Sequence, residues 1–79
     1  MREKGLDRLA PYGHAKVEKI LDSAAKERLI SLGVNEGVEV CRLFSAPSGD
    51  PTAYLVRGSV IAIRAQDAKN VIVGDGTWA

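Results

Sequence analysis

Cysteine, histidine, tryptophan and phenylalanine occur once each in this 79-residue chain. With Cys41 the only thiol, no disulfide can form within the chain, so a cystine-stapled scaffold is excluded and a reducing compartment is the natural expectation. Long apolar runs are missing too. No aliphatic run exceeds the four residues of Val60-Ile61-Ala62-Ile63, far short of the roughly 20 that a membrane-spanning helix needs. Aromatics are limited to Tyr12, Phe44, Tyr54 and Trp78, poor material for the aromatic-lined groove that reads proline-rich peptides. A surplus of one charge is also absent: eleven basic residues face ten acidic ones, for a net charge of +1. Nucleic-acid binders usually cluster a basic excess on one face, whereas here Lys16 and Lys19 flank Glu18, and Lys26 and Arg28 flank Glu27. The start, Met1-Arg2-Glu3-Lys4-Gly5, lacks the apolar core of a signal peptide, so the expected location is the cytoplasm.

What is present suits one small soluble domain. The sequence is 46% apolar and 27% charged, too hydrophobic for a disordered chain. A domain this short hides only about 60% of its unfolded surface, so its core is thin.

The middle of the chain organises the rest. Pro47 and Pro51 bracket Ser48-Gly49-Asp50, and this is turn chemistry, because Pro fixes φ while Gly permits positive φ. Thr52 to Arg57 and Ser59 to Arg64 are β-rich runs around a glycine break, a hairpin signal. Ile61 and Ile63 are expected inward, Ala62 and Arg64 outward. Ala65-Gln66-Asp67-Ala68 reads as a helical turn and Val71-Ile72-Val73 as a last strand.

Upstream, residues 1–13 read as a loose arm that tucks Leu6 and Leu9 onto a core edge. His14 to Asp22 favours a strand. A helix follows, with Asp22 or Ser23 as its N-cap, Ala24 to Leu32 as its body and Gly33 at the left-handed C′ position. Leu29 and Leu32 form its expected inward pair. Val38 to Ala46 is the longest strand candidate, with Val40 and Phe44 on the core face. Arg42 breaks the pattern, and the apolar residues on both faces predict a bend or bulge. Residues 74–79, with Trp78 given no role, read as a tail. Five short strands and one helix bury an inner face best by curling into a barrel. The expected fold is therefore mainly β: a small SH3-like five-stranded barrel over 14–73, with the helix between strands 1 and 2 and a short helical turn before the last strand.

In this order the segments resemble the FeoA (ferrous iron transport protein A) family. The residues that carry the resemblance are Arg28-Leu-Ile-Ser-Leu-Gly33, Val34-Asn-Glu-Gly37, Val38-Glu-Val40, Ala46-Pro-Ser-Gly-Asp-Pro51, Val56-Arg-Gly58, Ile61-Ala-Ile-Arg64 and Asp67-Ala68, with Val71 and Val73 closing. The resemblance spans residues 14–73; each motif is weak alone, and order and spacing make the set specific. It implies an SH3-like barrel, a cytosolic accessory role in bacterial ferrous iron uptake, and a partner, the FeoB permease with its GTP-hydrolysing cytosolic domain. It implies no catalytic activity. A related domain forms the C-terminal module of iron-dependent repressors, so a metal-responsive regulatory module is an alternative. No DNA-binding segment precedes the match in this sequence, which favours the transport accessory. A small nucleic-acid-binding barrel is the other alternative, and it would need a basic face built from Arg42, Arg57, Arg64 and Lys69.

No chemistry-bearing motif competes. His14 and Cys41 would have to converge with an orienting group to act as a nucleophile pair. His14, Cys41, Asp50 and Asp67 are metal ligands by type, but none has metal-site spacing. No catalytic, cofactor or metal residue is therefore assigned. Partner contact is left, through three surfaces: Arg28, Leu29 and Ile30 on the helix, the Ser48-Gly49-Asp50 loop, and Arg64. Leu29 is also a core candidate, and Arg64 is expected to pair with Asp67 at i+3. Direct membrane insertion and nucleic-acid binding are not expected, and weak self-association is left open.

Overall fold

The computed structural model describes residues 4–74. Its elements are β1 (Lys4–Gly5), a 3-10 turn (Leu6–Arg8), β2 (His14–Ile20), α1 (Lys26–Ser31), β3 (Glu39–Ser45), β4 (Thr52–Val56), β5 (Ser59–Ile63), α2 (Ala65–Ala68) and β6 (Val71–Gly74). The protein is mainly β. All strands pair antiparallel in one six-stranded sheet ordered β1-β6-β2-β3-β4-β5.

This differs from five strands closed into a barrel. The extra strand lies in the segment read as a loose arm, where Lys4 pairs with Val73 and Gly5 with Ile72. Leu6 and Leu9 beside it are fully buried. The ladder also has two ends, β1 and β5. Helix α2 lies between β5 and β6 in the chain, and among the described residues no ladder joins those two strands. The tail beyond Gly74, with Trp78, lies outside the described residues.

Local rules account for several joints. Strands β4 and β5 meet at Arg57-Gly58, where Val56 pairs with Ser59 and both central residues have positive φ, 52° and 82°. That is the two-residue hairpin turn whose twist matches the strands. Helix α1 ends on Gly33 at φ 103°. The Gly33 N–H donates to the Ile30 carbonyl and the Val34 N–H to the Leu29 carbonyl, 3.0 and 2.9 Å. These are the two bonds of a Schellman end, and Leu29 and Val34, both fully buried, supply its apolar contact.

The other end of α1 departs from expectation. The helix starts at Lys26 with Ala25 at the cap position, and no side chain caps it. Ser23 holds the preceding turn through its carbonyl, which accepts the Lys26 N–H, and its hydroxyl is buried without a partner. Asp22 binds Lys26 Nζ at 3.2 Å instead of a backbone N–H.

The core gathers Leu6, Leu9, Ala15, Val17, Leu29, Val34, Val40, Tyr54, Val56, Ile63, Val71 and Val73. Burying a leucine such as Leu29 contributes about 2 kcal/mol. Two expected core residues are outside. Phe44 is 63% exposed because the β3–β4 register shifts between Arg42 and Ser45, and the alternation that would have turned it inward restarts there. Leu32 is 41% exposed because it is the residue that caps α1. Arg42, out of pattern in the sequence, is half-buried and donates to the Leu9 carbonyl at 2.6 Å and to Ser45 Oγ at 3.4 Å. Ser45 Oγ in turn lies 2.7 Å from Thr52 Oγ1, the buried hydroxyl opposite.

Candidate functional site

Helix α2 draws together most of the residues that the sequence marked. Asp50, in the turn before β4, accepts the Ala65 N–H at 2.8 Å and so satisfies a free donor at the first turn of α2. Ser48 Oγ donates to the Asp50 carbonyl at 3.0 Å, and Gly49 stands at φ 96°. Arg64 is the extended residue leading into α2. Asp67 does not pair with Arg64. It binds Arg28 of α1 instead, Nη2 to Oδ2 3.1 Å, and its carboxylate is mostly shielded from solvent. The reason is direction: Arg64 leaves an extended backbone at the cap, whereas Arg28 reaches Asp67 from a neighbouring element. The loop, α2 and α1 thus form one polar hub. Ile30, 41% exposed, lies on another face of α1, where it lines a hollow with Ile20, Lys26, Asn35 and Glu36, while Leu29 is wholly interior.

A second surface was not marked by the sequence. On the outer face of the sheet, His14 lies opposite Cys41, Cys41 opposite Leu55, and Leu55 opposite Val60, a continuous row across β2, β3, β4 and β5. Ala53 lies opposite Ala62 in the next outward row. Val60 is 60% exposed, and Leu55 is also exposed. An open groove of about 440 Å³ runs beside this row, lined by Val38, Glu39, Cys41, Leu55 and Arg57 among others. The signal was present as alternation in β4 and β5. That alternation places Ile61 and Ile63 inward and Ala62 and Arg64 outward, as the structure has them, while the row across four strands emerges only with the sheet order.

The reactive side chains do not assemble. His14 and Cys41 are cross-strand neighbours, yet His14 Nδ1 lies 3.1 Å from Glu39 Oε2, and Cys41 Sγ points at the carbonyls of Tyr12 and Arg42. Asp50 and Asp67 are committed to Ala65 and Arg28. Among the described residues no three His, Cys, Asp or Glu side chains gather as a metal site. Arg42 is also committed internally, which removes one member of the basic face Arg42, Arg57, Arg64 and Lys69. The acidity of Tyr54 is clearly displaced. Burial pushes its phenol above the usual 10.0, against an opposing pull from Arg42. Among the described residues no helix is long and apolar enough to cross a membrane.

The FeoA domain profile matches residues 4–74. No curated protein matches the chain. Among solved structures, the FeoA-like protein from Clostridium acetobutylicum is 27% identical with a TM-score of 0.85, over 94% of this chain and 87% of that one. Stenotrophomonas maltophilia FeoA, a procaryotic SH3 domain protein solved in complex with zinc, is 32% identical with a TM-score of 0.80, over 89% and 88%. A manganese-dependent transcriptional repressor superposes with a TM-score of 0.80 at 12% identity, over 94% of this chain and 41% of that one. That likeness shows the fold alone.

Proposed function

The chain belongs to the FeoA family, and from that membership we propose that it is a small cytosolic accessory protein of bacterial ferrous iron uptake. In this reading it docks on the cytosolic part of a FeoB-type GTPase-permease and adjusts its assembly or activity. The observation that carries the proposal is the profile match over residues 4–74, almost the whole chain. The internal pairing of Asp50, Asp67 and Arg42 supports it, because it leaves the protein surface contact as its means of action. In this reading the contact surface comprises the α2 hub, with Arg28 of α1, the Ser48-Gly49-Asp50 loop and Arg64, together with Ile30 on another face of α1, and Leu29 fixes α1 from beneath.

Recruitment of the tagged protein by membranes containing the permease is the direct test, read by co-purification in mild detergent. Ile30→Glu should weaken recruitment while leaving the unfolding midpoint within about 0.5 kcal/mol of the parent, as for other exposed positions. Absence of recruitment for the unaltered chain under those conditions overturns the reading. Loss of folding in Ile30→Glu would move the contact surface elsewhere.

A further inference from the structure

The outward face of β2 and β3 carries an arrangement that the hub does not use. Lys16 pairs in register with Glu39, and His14 with Cys41. By strand alternation these four side chains leave one side of the sheet, away from the buried Ala15 and Val40 between them. Glu39 turns toward His14. Lys16 is exposed and has no ion-pair partner among the described residues.

At the far end of this face both strands are irregular. The Tyr12 N–H donates to the Arg42 carbonyl at 2.8 Å, and the Arg42 N–H donates to the Gly13 carbonyl at 2.9 Å, so two residues share one opposite. Tyr12 stands at φ 62°, a conformation that a bulky side chain rarely takes. On β3 the register skips between Arg42 and Ser45. Bulges re-aim side chains, and here Tyr12 is left 72% exposed and Phe44 63%. They are the two most exposed large apolar residues among those described.

A cation beside an anion at one end, with aromatics at the other, complements itself. A two-fold axis parallel to the strands, running between β2 and β3, exchanges the two strands and keeps every row level. Each residue then lies over its own register partner in the second copy: Lys16 over Glu39, His14 over Cys41, and Tyr12 level with the bulge that carries Phe44. Every such contact is made twice. An axis across the strands would instead set the charged row on the aromatic one. Sheets that pack face to face commonly keep their strands aligned in this way.

We propose that this face binds a second copy of the chain, with Lys16 of each copy paired to Glu39 of the other and Tyr12 packed on Phe44. Strands β2 and β3 have seven residues each. Two strands of that length present a patch of about 10 by 24 Å, small beside the roughly 800 Å² per partner of a standard interface. The dimer is therefore transient and forms at high protein concentration. The inference does not depend on the permease reading and is tested without the permease.

Backbone NMR shifts of the isolated chain, followed from micromolar to millimolar concentration, should move at His14, Lys16, Cys41 and Phe44 and stay constant in α1 and α2. Added salt should weaken the association. Lys16→Glu sets carboxylates against each other at both contacts, and Glu39→Lys sets ammonium groups against each other. Each variant alone should therefore lose the concentration dependence. Mixed in equal amounts, the two variants should associate at least as well as the parent, because both contacts are then opposite in charge. A purely structural role for these residues would give no such rescue. If either charge variant fails to fold, Tyr12→Gly decides: glycine takes positive φ freely, so that variant should fold and raise the dimer Kd about tenfold. The proposal is overturned by shifts that stay constant up to millimolar concentration, by single charge variants that associate like the parent, by a mixture no better than either variant alone, or by Tyr12→Gly associating unchanged.

Discussion

Around α2, Asp50 holds a backbone N–H and Asp67 holds Arg28, whereas beside β5 Arg57 and Arg64 have no ion-pair partner among the described residues and Val60 lies open to water. The two regions contain similar residue types and treat them oppositely. The hub uses its polar groups to fix three elements against one another, so substitutions there are felt as stability. Among the described residues the side chains of Arg57, Val60 and Arg64 make no such bonds, so substitutions there should change stability little.

The strongest way to test the contrast is to compare the support beneath the hub with the exposed face of β5. Leu29→Ala should destabilise by about 2–5 kcal/mol, the range for deleting a buried leucine, read by urea unfolding. Val60→Thr should change stability by no more than about 0.5 kcal/mol. Equal effects at the two sites would abolish the distinction. Next in size, Asp50→Ala should cost about 1 kcal/mol, as loss of an end-capping side chain does. Its effect should appear as faster amide exchange at Ala65.

Tyr54 provides a pH test of the interior between the two regions. Its phenol is raised above 10.0 by burial, so the folded state holds its proton more tightly than the unfolded chain does. That contribution is fully present below pH 10.0 and is lost as pH rises from there through the folded value. Stability should therefore fall on the alkaline side, and Tyr54→Phe should flatten that fall relative to the parent. Smallest of all, Arg57→Asn should leave stability unchanged or raise it by about 1 kcal/mol or less, by relieving positive φ. A loss on that substitution would mean that Arg57 supports the fold after all.

Part of this was readable residue by residue. Gly33 as the end of α1 and the glycine break between β4 and β5 depend on backbone angles that a few neighbouring residues set. The bulge in β3 was signalled by apolar residues on both faces, but its consequence for Phe44 was not, because one extra residue reverses every later position. The hub was read in fragments. Arg28, Asp50 and Arg64 each stood out, yet the partner of Asp67 was assigned to Arg64 by proximity in sequence, while the structure gives it to Arg28, 39 residues away.

The sequence by itself determined the local turns, the helix end, the strand-forming segments and the family pattern. All of these are written in short stretches of side-chain and backbone preference. The tertiary structure alone decided that Leu6 and Leu9 are interior, that Phe44 and Leu32 are not, that β1 joins the sheet, and that β5 ends it. Burial and edge position depend on which elements meet across the fold, and in a domain with so thin a core a shift of one residue is enough to exchange inside for outside.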